Sequence, residues 1–125
     1  MSATVLLIEE HAPLRLLYQQ TLEDEGYHVI AVGNCAEALE MIHTVSPDVI
    51  VLEPVVNDPL REAWSLLVQV TNFPPVIWNT GRFDYHDKAR DADVDFVLKS
   101  SDVGELCQKV RQVLEQERCS FFTFV

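Results

Sequence analysis

Residues 46–54 read SPDVIVLEP, and the four apolar residues at their centre, Val49–Leu52, decide the fold. Pro47 closes the helix before them, and Glu53 with Pro54 stands behind them. A strand that is apolar at every position has no solvent face, so it belongs inside a parallel sheet covered on both sides. In such sheets functional groups collect at the carboxyl ends of the strands, which is where this run delivers a carboxylate. That carboxylate is Glu53, one methylene longer than an aspartate.

Working outward, four more short strands are expected. Thr4–Ile8 is a solid apolar run ending at Glu9 and Glu10, and His28–Val32 is a second strand. Val76–Thr80 follows the helix breakers Pro74 and Pro75, and Asp95–Leu98 is a fifth strand. Helical spacing fills the gaps. Pro13 suits a first turn, and Leu14, Leu17, Tyr18, Thr21 and Leu22 form an inward stripe that Gly26 ends in a left-handed cap. Asn34 with Glu37 three residues on resembles a capping box, ahead of inward Ala38, Leu39 and Ile42. Residues 61–70 place Ala63, Trp64, Leu67 and Val70 on one face, and residues 85–92 are weakly helical. Asp102 with Glu105 caps a last helix whose Val103, Leu106, Val110, Val113 and Leu114 point inward. Five strands alternating with five helices make a doubly wound α/β fold with a five-stranded parallel sheet. That fold gathers Glu9, Glu10, Glu53, Thr80 and Lys99 at one edge.

A chain of 125 residues is the size of one domain. Residues 1–118 are read as that domain and 119–125, CSFFTFV, as an apolar, β-prone tail packed on the body or across a homodimer. No apolar run approaches the ~20 residues needed to span a bilayer, and MSATVLLIEE lacks a basic leader, so a cytoplasmic protein is expected. Cys35, Cys107 and Cys119 carry no CxxC and read as free thiols. The four histidines are scattered and form no metal set; His11 lies at the rim of the site. A net charge of -11 opposes nucleic acid and anionic membranes, so a protein or cation partner is expected.

Taken in order, VLLIEE, SPDVIVLEP, PVIWNTG and DFVLKS resemble the receiver domain of two-component response regulators over roughly residues 4–117. The resemblance implies a flavodoxin-like sheet of order 2-1-3-4-5 and transfer of a phosphoryl group from a histidine kinase to an aspartate beside Mg²⁺. Carried over by position, Glu53 stands at the phosphoacceptor and Glu9, Glu10 and Glu53 at the metal. Thr80 stands at the switch hydroxyl, Phe96 at the switch aromatic and Lys99 at the phosphate-contacting ammonium. Glu53 and Glu10 are each longer than the family's aspartate, and Ser100 replaces the proline after the lysine, so a trans Lys99–Ser100 bond is expected.

Mg²⁺ needs near-ideal octahedral geometry at ~2.0–2.1 Å and in-line transfer needs atoms ~3–3.5 Å apart. Two extra methylenes disturb both, so weak or absent Mg²⁺ binding and no phosphorylation of Glu53 are expected. Glu53 then either reaches toward Lys99 and Thr80 as a built-in partial signal or rests in a silent pocket. For Lys99 the alternative is an ordinary solvated lysine, for Thr80 a plain strand former, and for Phe96 simple packing, which is favoured. The leading expectation is a stand-alone, non-enzymatic receiver acting by contact with a histidine kinase or a downstream signalling protein. Two alternatives stand beside it: a phosphoaccepting receiver in a histidine-to-aspartate relay, using Glu53 or Asp58, and a flavodoxin-like small-ligand binder. Against the last, EEHAP after the first strand offers a phosphate no cradle.

Overall fold

The computed structural model describes residues 2–54, 73–100 and 102–123. The expected strands all form: β1 (Thr4–Ile8), β2 (His28–Val32), β3 (Val49–Leu52), β4 (Val76–Thr80) and β5 (Asp95–Leu98). They pair in parallel in the order β2-β1-β3-β4-β5, the flavodoxin-like arrangement. Four helices are described: α1 (Ala12–Asp24), α2 (Cys35–Val45), α3 (Tyr85–Asp91) and α4 (Gly104–Thr123). The helix expected over residues 61–70, and the alternative acceptor Asp58, lie outside the described residues.

The central strands are apolar throughout because both of their faces are covered. Val5, Leu7, Val49, Val51, Ile77 and Val97 pack with Tyr18 and Leu22 of α1 and with Leu106, Val110 and Val113 of α4. The alternate residues Leu6, Ile8, Ile50, Leu52 and Val76 pack on the opposite face with Cys35 and Ala38 of α2. Each such aliphatic side chain removed from water contributes about 1.5–3 kcal/mol, which makes these two layers the main stabilising term.

Local signals set the helix ends. The His11 side chain caps α1 by accepting from the Leu14 N–H, Pro13 occupies its first turn, and Gly26 follows at φ 98°, a conformation a side chain would strain. Asn34 accepts from the Glu37 N–H at 2.9 Å, the first half of the capping box, while Glu37 reaches back to the Gly33 N–H at 3.3 Å, one residue before the Asn34 N–H that the full box would engage. At α4 the Asp102 carboxylate accepts from the Gly104 N–H at 2.9 Å, one residue earlier than the spacing to Glu105 suggested.

One expectation needs correction. Leu17 is 43% exposed, because the buried stripe of α1 is narrow and centres on Tyr18 and Leu22, with Leu14 and Thr21 half-buried. The backbone of α4 continues through residue 118 to Thr123; the burial of the tail's side chains lies outside the described residues. Cys35 and Cys107 are buried free thiols. Among the described residues no helix is long and apolar enough to cross a membrane, and no peptide bond is cis, Lys99–Ser100 included.

Candidate functional site

The carboxyl ends of β1, β3 and β5 each deliver one ionisable residue. Side chains alternate along a strand, so Glu9 continues the row of Val5 and Leu7, Glu53 that of Val49 and Val51, and Lys99 that of Val97. All three therefore leave the sheet on the side covered by α1 and α4. The pairing of Ile8 with Leu52 sets Glu9 beside Glu53 on adjacent strands, and the Glu53 N–H donates to the Ile8 carbonyl at 3.1 Å. Lys99 starts on the edge strand β5, where its own N–H is tied to the Thr80 carbonyl at 2.8 Å, and reaches back over β4.

The Lys99 ammonium lies 2.5 Å from Glu9 Oε1 and 3.0 Å from Glu53 Oε1, so one cation is shared by two carboxylates. Exposure of the three side chains is 4% for Glu9, 15% for Lys99 and 19% for Glu53, which places the trio at the floor of the cleft. Burial works against the charged ammonium, but its hydrogen bonds to Glu9 and Glu53, and their charges, outweigh burial and raise the Lys99 pKa above the ordinary lysine value. The remaining Glu9 oxygen, Oε2, accepts from the His11 N–H at 3.1 Å. Glu10 is exposed on the cleft wall with His11, Ala12, Pro54 and Arg82.

Thr80 is fully buried, and its hydroxyl accepts from the Arg82 N–H at 3.1 Å, which folds the turn after β4 back on itself. Phe96 is half-buried and meets His86 in a T-shaped contact at 5.3 Å; His86 in turn stacks on the exposed Phe83. Phe96 thus packs, as its place in a strand suggested.

Three further groups shape the site without having been singled out in the sequence. Arg15, one turn into α1, donates from Nη1 to the carbonyls of Glu9 at 2.9 Å and Glu10 at 3.4 Å, and so fixes the loop that carries the acids. A Cβ on Gly33 would stand 3.0 Å from that nitrogen. Arg82 lines the cleft mouth, with its guanidinium held by Asp84 through contacts of 3.0 and 2.9 Å and lying over the Tyr85 ring. Beneath the site, Tyr18 of α1 hydrogen-bonds the side chain of Asn79 on β4, and both residues are buried. Burial pushes the Tyr18 hydroxyl pKa up, while the Lys99 charge and the Asn79 hydrogen bond oppose it. Helical position 18 and strand position 79 were legible, but not that their polar ends would meet.

The Mg²⁺ implied by the resemblance does not fit this donor set. One oxygen each of Glu9 and Glu53 is committed to Lys99, and the second oxygen of Glu9 to a backbone N–H. Among the described residues no three His, Cys, Asp or Glu side chains converge as metal ligands.

Comparison with known proteins agrees with the fold and with the order of the motifs. The family model "Response regulator receiver domain" matches residues 5–111. The alkaline phosphatase synthesis transcriptional regulatory protein PhoP of Bacillus subtilis is 26% identical over 121 residues, covering 93% of this chain and 50% of that protein. The chain spans about half the length of the curated relatives it matches. Among solved structures, the chemotaxis response regulator CheY4 of Vibrio cholerae superimposes with a TM-score of 0.76 at 21% identity, covering 90% of this chain and 99% of that one. The receiver domain of the Francisella response regulator 1452 gives 0.80 at 19% identity, covering 93% and 99%. With the strand order, the acid-bearing strand ends and the family match in agreement, the chain belongs to the response regulator receiver domain family of two-component signalling.

Proposed function

We propose that this receiver domain signals by protein contact without accepting a phosphoryl group, with the carboxylate of Glu53 serving as a permanent charge where other receivers acquire one. The observation that carries this reading is the Lys99 ammonium, 3.0 Å from Glu53 and 2.5 Å from Glu9. A lysine meant to meet an incoming phosphoryl group already has both carboxylates as partners. Glu53 brings one charge and two acceptor oxygens, against ~1.5–2 charges and three acceptors for a phosphoryl group, so the built-in signal is partial.

On this reading the domain is a binding module and not a catalyst. Its partners are proteins of the signalling chain, a sensor kinase or a downstream component, because a net charge of -11 disfavours nucleic acid for this domain itself. The same charge and the lack of a long apolar helix among the described residues support a cytoplasmic place of action. The test is incubation with acetyl phosphate or phosphoramidate in the presence of Mg²⁺, followed by intact mass. No adduct is expected on the wild-type chain. A gain of one phosphoryl group that disappears in Glu53→Gln would instead make this a working acceptor in a relay.

A further inference from the structure

We infer that Lys99 is the resident cation of this site, an ammonium that clamps Glu9 and Glu53 in place of a divalent ion and keeps Mg²⁺ out. The inference rests on the phosphorylation-independent reading above and states how the site is held in its fixed state. Glu9 and Glu53 end neighbouring strands with their carboxylates on the same side, an arrangement that needs a positive charge between them. Glu9 is almost wholly removed from water, so the repulsion between the two carboxylates is poorly screened and calls for a counter-charge.

Lys99 meets that need from the end of β5, two strands from Glu53 and three from Glu9. Its ammonium binds Oε1 of both acids, and the His11 N–H holds Oε2 of Glu9. An entering Mg²⁺ would have to displace the ammonium from both carboxylates and then complete a strict octahedron. Ligand geometry and the charge of the ammonium therefore act in the same direction.

Removing the ammonium reverses the situation. In Lys99→Met the two carboxylates keep their positions and lose their counter-charge. Such a site suits Ca²⁺, which takes six to eight oxygens at ~2.3–2.6 Å in flexible geometry, better than Mg²⁺. The wild-type chain should ignore divalent ions, whereas the variant should acquire a dependence on them.

The experiment titrates MgCl₂ and then CaCl₂ into the ¹⁵N-labelled full chain at constant ionic strength, following the amides of His11, Glu53 and Lys99. The wild-type chain should show no saturable shift. Lys99→Met should show one, with a melting-temperature rise of about 4 °C or more when Ca²⁺ is at roughly ten times its Kd. Lys99→Arg, which keeps a cation in place, should behave as wild type. A saturable wild-type shift at these three amides overturns the inference, and so does a folded Lys99→Met that remains indifferent to both ions. If Lys99→Met does not fold, the wild-type and Lys99→Arg titrations still decide. Mg²⁺ binding without phosphodonor labelling would overturn this inference and leave the proposed function standing. Labelling without detectable Mg²⁺ binding would overturn the proposed function alone.

Discussion

Replacing Lys99 by methionine keeps the aliphatic stem and deletes the ammonium that two carboxylates share. Breaking a buried ion pair by removing one partner costs about 3–5 kcal/mol, because a charge is left without compensation. Lys99 and Glu53 retain some contact with solvent, so the lower end, about 3 kcal/mol, is expected. Glu53→Gln is a different perturbation. It leaves Lys99 on Glu9, the closer and more buried partner, and it relieves the repulsion between the two acids. Its cost should stay near 1 kcal/mol, that of one hydrogen bond exchanged for a weaker one. The decisive case is the double variant. Once Lys99 is gone, neutralising Glu53 removes a repulsion and no attraction, so Glu53→Gln should stabilise the Lys99→Met background while destabilising the wild type. Urea unfolding reads all four forms, and the Lys99→Met midpoint should fall by about 1–3 M at unchanged m. If Glu53→Gln lowers stability by the same amount in both backgrounds, the two residues do not share a charge balance and the site has been misread.

Two further outcomes follow from groups near the trio. Tyr18→Phe leaves the buried Asn79 amide without its hydroxyl partner and should cost about 1–3 kcal/mol, whereas Tyr18→Phe with Asn79→Leu should recover much of that loss in thermal melts. Stability should also fall as pH rises from 9 to 11. Burial raises the pKa of Cys107 from 9.0 and of Tyr18 and Tyr27 from 10.0, and the carboxylates raise that of Lys99 from 10.5. Each raised group contributes stability that is complete below its unfolded pKa and is lost as pH climbs through its folded one, because the unfolded chain releases its protons first. Melting temperature measured across this range should show a shallower decline in Tyr18→Phe; an equal or steeper decline would refute the assignment for that residue.

The five strands were legible because parallel strands covered on both sides are written as unbroken apolar runs, and Val49–Leu52 is the clearest of them. The gathering of Glu9, Glu53 and Lys99 was legible from the same source, since strand ends in a doubly wound sheet share an edge. The unequal fates of Glu9 and Glu10 were also within reach. Adjacent residues at a strand end leave on opposite faces, and Glu9 alone continues the row that Glu53 joins. What could not be read depends on distances between elements. The spacing of α1 lists Leu17 with Tyr18, yet how wide a stripe the sheet covers is set by where the helix sits. Likewise nothing in the sequence marks Arg15, whose guanidinium meets two carbonyls only because the turn after β1 brings them beneath it. Asn79 looked like a strand residue, and its polar end finds a partner only because α1 places Tyr18 over β4.

The reach of Lys99 from the edge strand back to β1 spans most of the chain, and this bears on the order of folding. A contact between residues 9 and 99 closes a long loop, with β3 and β4 between its ends, and the entropic cost of that closure favours its forming late. The clamp is therefore expected in the final steps of assembly, after a nucleus built on the apolar strands. Interactions absent from the transition state leave the folding rate unchanged and act on the rate of escape from the native state. The ammonium that joins the two acids is thus a latch closed last, which makes the domain slow to open at the edge where its functional residues lie.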